Sequence, residues 1–348
     1  MEAPEVKTWA TALAAASLVA GCGHPFIPPP PKAAGSAFTT GVDLYVTSDY
    51  SLAETELLGK RDLAYIARTL KVQSVGIAWD YVIPGYRSDQ VLNSPPATPS
   101  QADIEALTRI ARSDGLQVEY RVLFKVTGQG KTFRPTETGT FFTSLLSAET
   151  PALETAQQEN VGEFIVGTET PAIEGDPQWP RFFADAGEIY HGLLSYAYWG
   201  GSPQVGGFFS ARRFLPAPLR TYGVTAYPDV HLPASASVRQ LTAAWTNFLH
   251  VIPASLRPRV AIDELGIPAA AGSYDAPWAW NGVSGRADDQ VQARWFQAAC
   301  TAAGAAHVQG IWFWNINLAD DPAHPFPGLT NIEGRPESEA AIRNCRAD

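Results

Sequence analysis

The chain predicts an α/β protein folded as a single (β/α)8 TIM barrel. From residue 38 onward, short apolar runs alternate with helix-patterned stretches through eight repeats. Most of the runs lack a polar residue at every second position, as in parallel strands covered on both faces. The chain has 348 residues, of which 45% are hydrophobic. That is enough for one barrel of roughly 250 residues with extensions. Strict βα alternation calls for right-handed crossovers and a parallel sheet, and eight units close it into a barrel.

Residues 38–47 (FTTGVDLYVT) read as the first strand, and residues 52–70 place apolar side chains at helical spacing among good helix formers. Residues 72–82 form strand two, and residues 100–113 a helix opened by Ser100 with Asp103 three positions on. Residues 117–126 (QVEYRVLFKV) give strand three, before a helical stretch over 140–158. Strand four spans 162–169, with a helix over 180–191, and strand five 193–199. A loop with Gly200, Gly201, Gly206 and Gly207 then leads to a short helix near 208–214. Strand six covers 222–227 with a helix over 237–250, and strand seven 259–264 with a helix over 288–303. Strand eight runs over 308–315 (VQGIWFWN), and a helix over 337–345 closes the chain. No GxGxxG follows the first strand, which removes the usual dinucleotide signature.

In such a barrel the carboxyl ends of the strands face the active site. Glu169 ends strand four and Glu264 ends strand seven, each followed shortly by Pro or Gly. A carboxylate is costly to bury unpaired, and two at equivalent strand ends imply a chemical task. Two facing carboxylates are the usual equipment for cleaving a glycosidic bond. Asp263 competes with Glu264, and strand alternation places the two on opposite sides. For Glu169 the competing reading is a salt bridge to Arg121 or Lys125. Tyr227 ends strand six, and Trp312 and Trp314 end strand eight. Trp79, Asp80 and Lys125 are weaker candidates for binding substrate hydroxyls. Trp199, Trp278, Trp280 and His324 fall in or beside loops that could add outer subsites. Asp43 is expected as a structural partner inside the barrel mouth, and Glu174 and Asp176 as solvated loop residues.

These strand ends resemble those of the clan A glycoside hydrolases, retaining (β/α)8 enzymes. Within the clan, Val75-Gly76-Ile77-Ala78-Trp79-Asp80-Tyr81, Leu123-Phe124-Lys125, Val166-Gly167-Thr168-Glu169 and Ile262-Asp263-Glu264-Leu265-Gly266 are similar to the mannanase-related glycoside hydrolase family 113. The resemblance implies that Glu169 is the acid/base, Glu264 the nucleophile, Tyr227 a partner of the nucleophile, and Trp314 the floor of the sugar subsite. It departs from the pattern at Thr168, where the clan usually has an Asn that binds the sugar 2-hydroxyl. No cofactor is implied. Two other readings stay open: a carbohydrate-binding protein on a degenerate barrel, and a transglycosylase that remodels wall polymers.

The net charge of −10 argues against a nucleic-acid partner or an electrostatic hold on anionic lipid. It suits a neutral polysaccharide or oligosaccharide, and ten Trp and twelve Tyr supply faces on which sugars could stack. Residues 1–21 resemble a bacterial lipoprotein signal: Lys7, an apolar run over 9–21, then Leu18-Val19-Ala20-Gly21-Cys22. Cleavage before Cys22 and lipid on its thiol would anchor the protein outside the cell membrane; an ordinary secretory signal is the alternative. Residues 22–37 then form a tether stiffened by Pro28 to Pro31, and residues 38–348 the catalytic domain, expected as a monomer. Cys300 and Cys345 are left, either as a disulfide or as two buried thiols. The sequence has no CxxC pair or His-rich cluster to suggest a metal site.

Overall fold

A computed structural model describes residues 38–128, 133–201, 219–280, 285–325 and 328–346. The leader, Cys22, the tether and the short helix expected near 208–214 lie outside the described residues. Eight parallel strands close into a barrel in sequence order. They are β1 (Thr39–Tyr45), β2 (Ser74–Ile83), β3 (Gln117–Val126), β4 (Glu163–Thr168), β5 (Leu193–Gly201), β6 (Tyr222–Tyr227), β7 (Val260–Leu265) and β8 (Gly310–Asn317). The described helices are α1 (Leu52–Tyr65), α2 (Gln101–Ser113), α3 (Thr138–Gln158), α4 (Trp179–Gly187), α5 (Val238–His250), α6 (Asp289–Ala306) and α7 (Pro336–Arg343).

Local chemistry sets several helix starts. Ser51 with Glu54, Ser100 with Asp103 and Ser237 with Gln240 form reciprocal capping boxes that satisfy otherwise orphaned backbone N–H groups. Asp288 caps α6 through the backbone N–H of Gln290. The helix expected over 52–70 continues past α1 as a π-helical turn at Ile66–Leu70. Cys300, on α6, is joined to Cys345, just past α7, in a disulfide with a Cα–Cα distance of 5.3 Å.

Large aromatics pack edge-on in clusters between the barrel and the helices. Trp79 meets Tyr120 edge-on at 5.4 Å, and Trp179 meets Tyr196 at 5.5 Å. Inside the barrel, Trp312 fills the space above two glycines: its indole lies where a Cβ at Gly41 or Gly310 would stand. The strands that lead to Glu169, Glu264 and Trp314 are irregular. Between Ile165 and Thr168, β4 advances three residues while β5 advances two. One residue of β6 likewise opposes two of β7 between Val224 and Thr225, and β8 carries an extra residue against β1 between Val42 and Leu44. Such bulges re-aim side chains at barrel rims.

Candidate active site

The bulge in β7 decides where the paired acids point. Glu264 comes into register with Thr225, on the interior side of β6. Its Oε1 accepts a hydrogen bond of 2.5 Å from the Tyr227 hydroxyl, and both residues are buried. Asp263 also faces the interior, deeper down: its carboxylate occupies the space a Cβ would take at Gly223. The expectation that alternation sends the two to opposite sides is therefore corrected, because the extra residue breaks the alternation.

Glu169 sits at the mouth, half-buried, with its backbone N–H bonded to the Ala197 carbonyl at 2.9 Å. It adopts a left-handed backbone, φ 55°. The Tyr227 phenol is held well above its usual pKa, first by burial and then by the charges of Glu264 and Glu169. One phenol thus stands within electrostatic reach of both glutamates. The bulge in β4 brings Thr168 into register with Ala197, on the interior side of β5. The Thr168 hydroxyl is buried and has no hydrogen-bond partner among the described residues.

Aromatic rings wall this point. Trp199 lies nearly parallel to Tyr227 at 6.1 Å, and Trp280 meets the same ring edge-on at 6.1 Å. Trp280 also packs against Gly266, where a side chain would clash with the indole. Half-buried Trp314 stands edge-on to Tyr45 at 6.0 Å, and the Tyr45 hydroxyl donates to Asp80 Oδ2 at 2.5 Å. Asp80 and Trp314 therefore share one side of the mouth, and Lys125 is exposed at the end of β3. Tyr45 was missed in the sequence, although it shares a strand face with Gly41 and Asp43, and Trp280 was read only as an outer-loop residue.

The other residues singled out in the sequence lie elsewhere. Trp79 is fully buried against Tyr81, Tyr120 and Phe164 in the helix-facing layer, where no sugar can reach it. Neighbouring residues on a strand face opposite ways, so Asp80 at the mouth forces Trp79 outward. Trp312 is a barrel plug at 1% exposure, leaving Trp314 at the rim. Glu174 is not solvated: it is 7% exposed and bonded to the Tyr196 hydroxyl at 3.1 Å. Asp176 is half-exposed and caps a turn through the Gln178 N–H. Trp278 is 50% exposed, and His324 pairs with Asp321 on the surface.

Below the mouth lies a buried polar core. Arg121 donates to Asp43 Oδ1 at 3.1 Å and to Glu119 Oε1 at 3.4 Å. Its charge also reaches Asp263 and Glu264. Burial pushes the Asp43 and Glu119 carboxyls well above the usual range despite that cation. Asp43 is thus the interior structural partner expected of it. Among the described residues, no cluster of three or more His, Cys, Asp or Glu side chains could hold a metal ion.

The sequence model of glycoside hydrolase family 113 matches residues 54–324, more than three quarters of the chain. The chain belongs to glycoside hydrolase family 113. It is a retaining O-glycoside hydrolase, and β-mannanase-like. The fold is shared with AaManA, the family 113 β-mannanase of Alicyclobacillus acidocaldarius in complex with ManMIm. Identity to AaManA is 18% and the TM-score 0.69, covering 89% of this chain and 98% of that one. Another family 113 β-1,4-mannanase gives a TM-score of 0.71 at 18% identity, covering 88% and 98%. A fungal β-1,4-galactanase gives 0.52 at 14% identity, covering 88% and 99%. No curated protein matches the chain. In this family 113 enzyme the two glutamates, Tyr227 and the indole walls converge at the carboxyl end of the barrel, where α/β barrels carry their chemistry.

Proposed function

We propose that this enzyme cleaves a β-linked polysaccharide, foremost a β-1,4-mannan, by double displacement with Glu264 as nucleophile and Glu169 as acid/base. The observation that carries the reading is Tyr227, whose hydroxyl donates to Glu264 and whose ring environment includes Glu169. The bond to Oε1 leaves Oε2 of Glu264 as the attacking oxygen. That oxygen bonds to the anomeric carbon while Glu169 delivers its proton to the glycosidic oxygen, and the aglycone sugar leaves. Glu169, now a carboxylate, takes a proton from water, and the hydroxide oxygen displaces Glu264 from the anomeric carbon. This course requires carboxyls about 5–5.5 Å apart. Trp314, Trp199 and Trp280 offer apolar faces to the sugar ring. The hydroxyl of Thr168, without a hydrogen-bond partner among the described residues, would bind the 2-hydroxyl next to the reacting carbon. β-Mannan is favoured because two solved structures of this fold are named family 113 β-1,4-mannanases. Galactan is the second choice, on the similarity to β-1,4-galactanase. Export and a lipid anchor at Cys22 belong to the same reading and rest on the leader sequence.

The test is product chromatography after incubation with β-mannans, galactans, glucans and whole wall arabinogalactan. Wild type should release shortened β-mannan, and Glu169→Ala and Glu264→Ala should not. Release from another glycan alone would overturn the mannan assignment. Undiminished release by either variant would overturn the role of that glutamate. Longer products from oligosaccharide donors would make the enzyme a transglycosylase.

A further inference from the structure

We infer that Tyr196 is a positioning residue for Glu169: its hydroxyl fastens the loop after β4 and so fixes the acid/base carboxyl against the glycosidic oxygen. The inference rests on the reading of Glu169 given above. Glu169 has φ 55°, a region that costs a non-glycine residue about 1–3 kcal/mol and persists only where its surroundings over-determine it. On its N-terminal side, the bond to the Ala197 carbonyl holds it. On its C-terminal side, one atom does most of the holding.

That atom is Tyr196 Oη. It accepts the Thr170 N–H at 2.8 Å, meets Thr170 Oγ1 at 2.7 Å, and lies 3.1 Å from Glu174 Oε1. The proton count is complete: the phenol accepts from the amide and the Thr170 hydroxyl and donates its only proton to Glu174. All three residues are buried, Tyr196 fully. Burial and the Glu174 charge keep the phenol protonated. A second tie backs the first, since Trp179 Nε1 donates to the Ile173 carbonyl at 2.8 Å, and Trp179 packs on the Tyr196 ring.

Tyr196 does this from outside the cleft. Its side chain lies on the helix-facing side of β5 and passes beneath the β4 bulge. Gly167 leaves room for it: a Cβ at that position would stand 3.3 Å from the Tyr196 ring, closer than ordinary contact. The residue touches no substrate, and its effect runs through the loop to Glu169. It would therefore govern proton delivery more than binding.

The experiment compares wild type, Tyr196→Phe and Glu169→Ala on two substrates. One is β-1,4-mannan, or the glycan that wild type cleaves in the panel. The other is the 2,4-dinitrophenyl β-glycoside of the same disaccharide, whose leaving group needs no proton. Tyr196→Phe keeps the ring and its packing. We expect kcat/KM on the polysaccharide to fall by roughly tenfold or more, the magnitude of a general acid–base contribution partly lost. On the aryl glycoside kcat/KM should change less than threefold, and the alkaline limb of the polysaccharide pH profile should move. Equal losses on both substrates, or no loss, would overturn the inference. Glu169→Ala should show the same split in stronger form. A missing split there sinks the acid/base reading itself, whereas a split in Glu169→Ala alone sinks only the role of Tyr196. Thr170→Val, which deletes one bond to the phenol, should show a smaller split of the same sign and serves if Tyr196→Phe does not fold.

Discussion

The 2.5 Å hydrogen bond from Tyr227 singles out Glu264 from its neighbour Asp263 at the scale of single residues. Tyr227→Phe should lower kcat by about 10- to 100-fold with little change in KM, because the lost bond acts on the nucleophile rather than on substrate binding. Steady-state kinetics on the cleaved glycan checks this. The buried hydroxyl of Thr168 has no partner among the described residues, as expected of a group that waits for a substrate hydroxyl. Thr168→Val keeps the shape and should cost tenfold or so in kcat, since bonds to the 2-hydroxyl strengthen in the transition state. An unchanged kcat would remove Thr168 from the site. Glu169, Glu264 and Tyr227 were legible in the sequence because each closes an apolar run just before Pro or Gly. Glu174 was not, because its partner Tyr196 comes from another strand and the loop composition looks solvated.

Single elements act here through their irregularities. Bulges in β4 and β7 turn Thr168 and Glu264 toward the barrel interior, and a third disturbs β8 near Trp314. Period-2 reasoning located the strands but could not see an inserted residue, so it misassigned Asp263 while placing Glu264 correctly. The bulge in β7 also leans on Gly223, where a Cβ would stand 1.7 Å from Asp263 Oδ2 and 3.0 Å from backbone of Ala197. Gly223→Ala should cost about 1–3 kcal/mol by overpacking and depress activity, as read by denaturant melts beside rate assays. Helix α3 carries another local oddity. Glu149 is fully buried with neither carboxylate oxygen bonded among the described residues, and burial alone raises its pKa well above normal. A carboxyl with a raised folded pKa contributes stability that is complete below the unfolded value of about 4.3 and is lost as pH rises through the folded value. Glu149→Gln cannot ionise, so it should raise the melting temperature at pH 8 and give a smaller gain at pH 5. A gain independent of pH would contradict this account of Glu149.

Across the whole molecule, the alternation of eight strands with helices was enough to predict closure, since each apolar run needs cover on both faces. What sequence alone could not supply was the interior charge balance, in which Arg121 on β3 serves Asp43 on β1 and Glu119 on its own strand. The Cys300–Cys345 bond ties α6 to the chain end across 45 residues. Chain-entropy reasoning puts such a link at up to about 4 kcal/mol. Reduction of the intact protein should therefore lower its melting temperature by several degrees while leaving the distant catalytic mouth active. At the other end, Cys22→Ala should move the full-length protein from the membrane fraction to the soluble fraction of the host if lipid holds it there.

The central claim is that Glu264 forms a covalent bond to the sugar, and it can be tested by trapping that bond. The enzyme would be treated with the 2-deoxy-2-fluoro glycosyl fluoride of the sugar it cleaves, then weighed intact and mapped by peptide mass spectrometry. The account predicts one added fluoro-sugar per chain, carried on Glu264, and none in Glu264→Ala. A label on Asp263, or glycan hydrolysis that continues without any adduct, would contradict it.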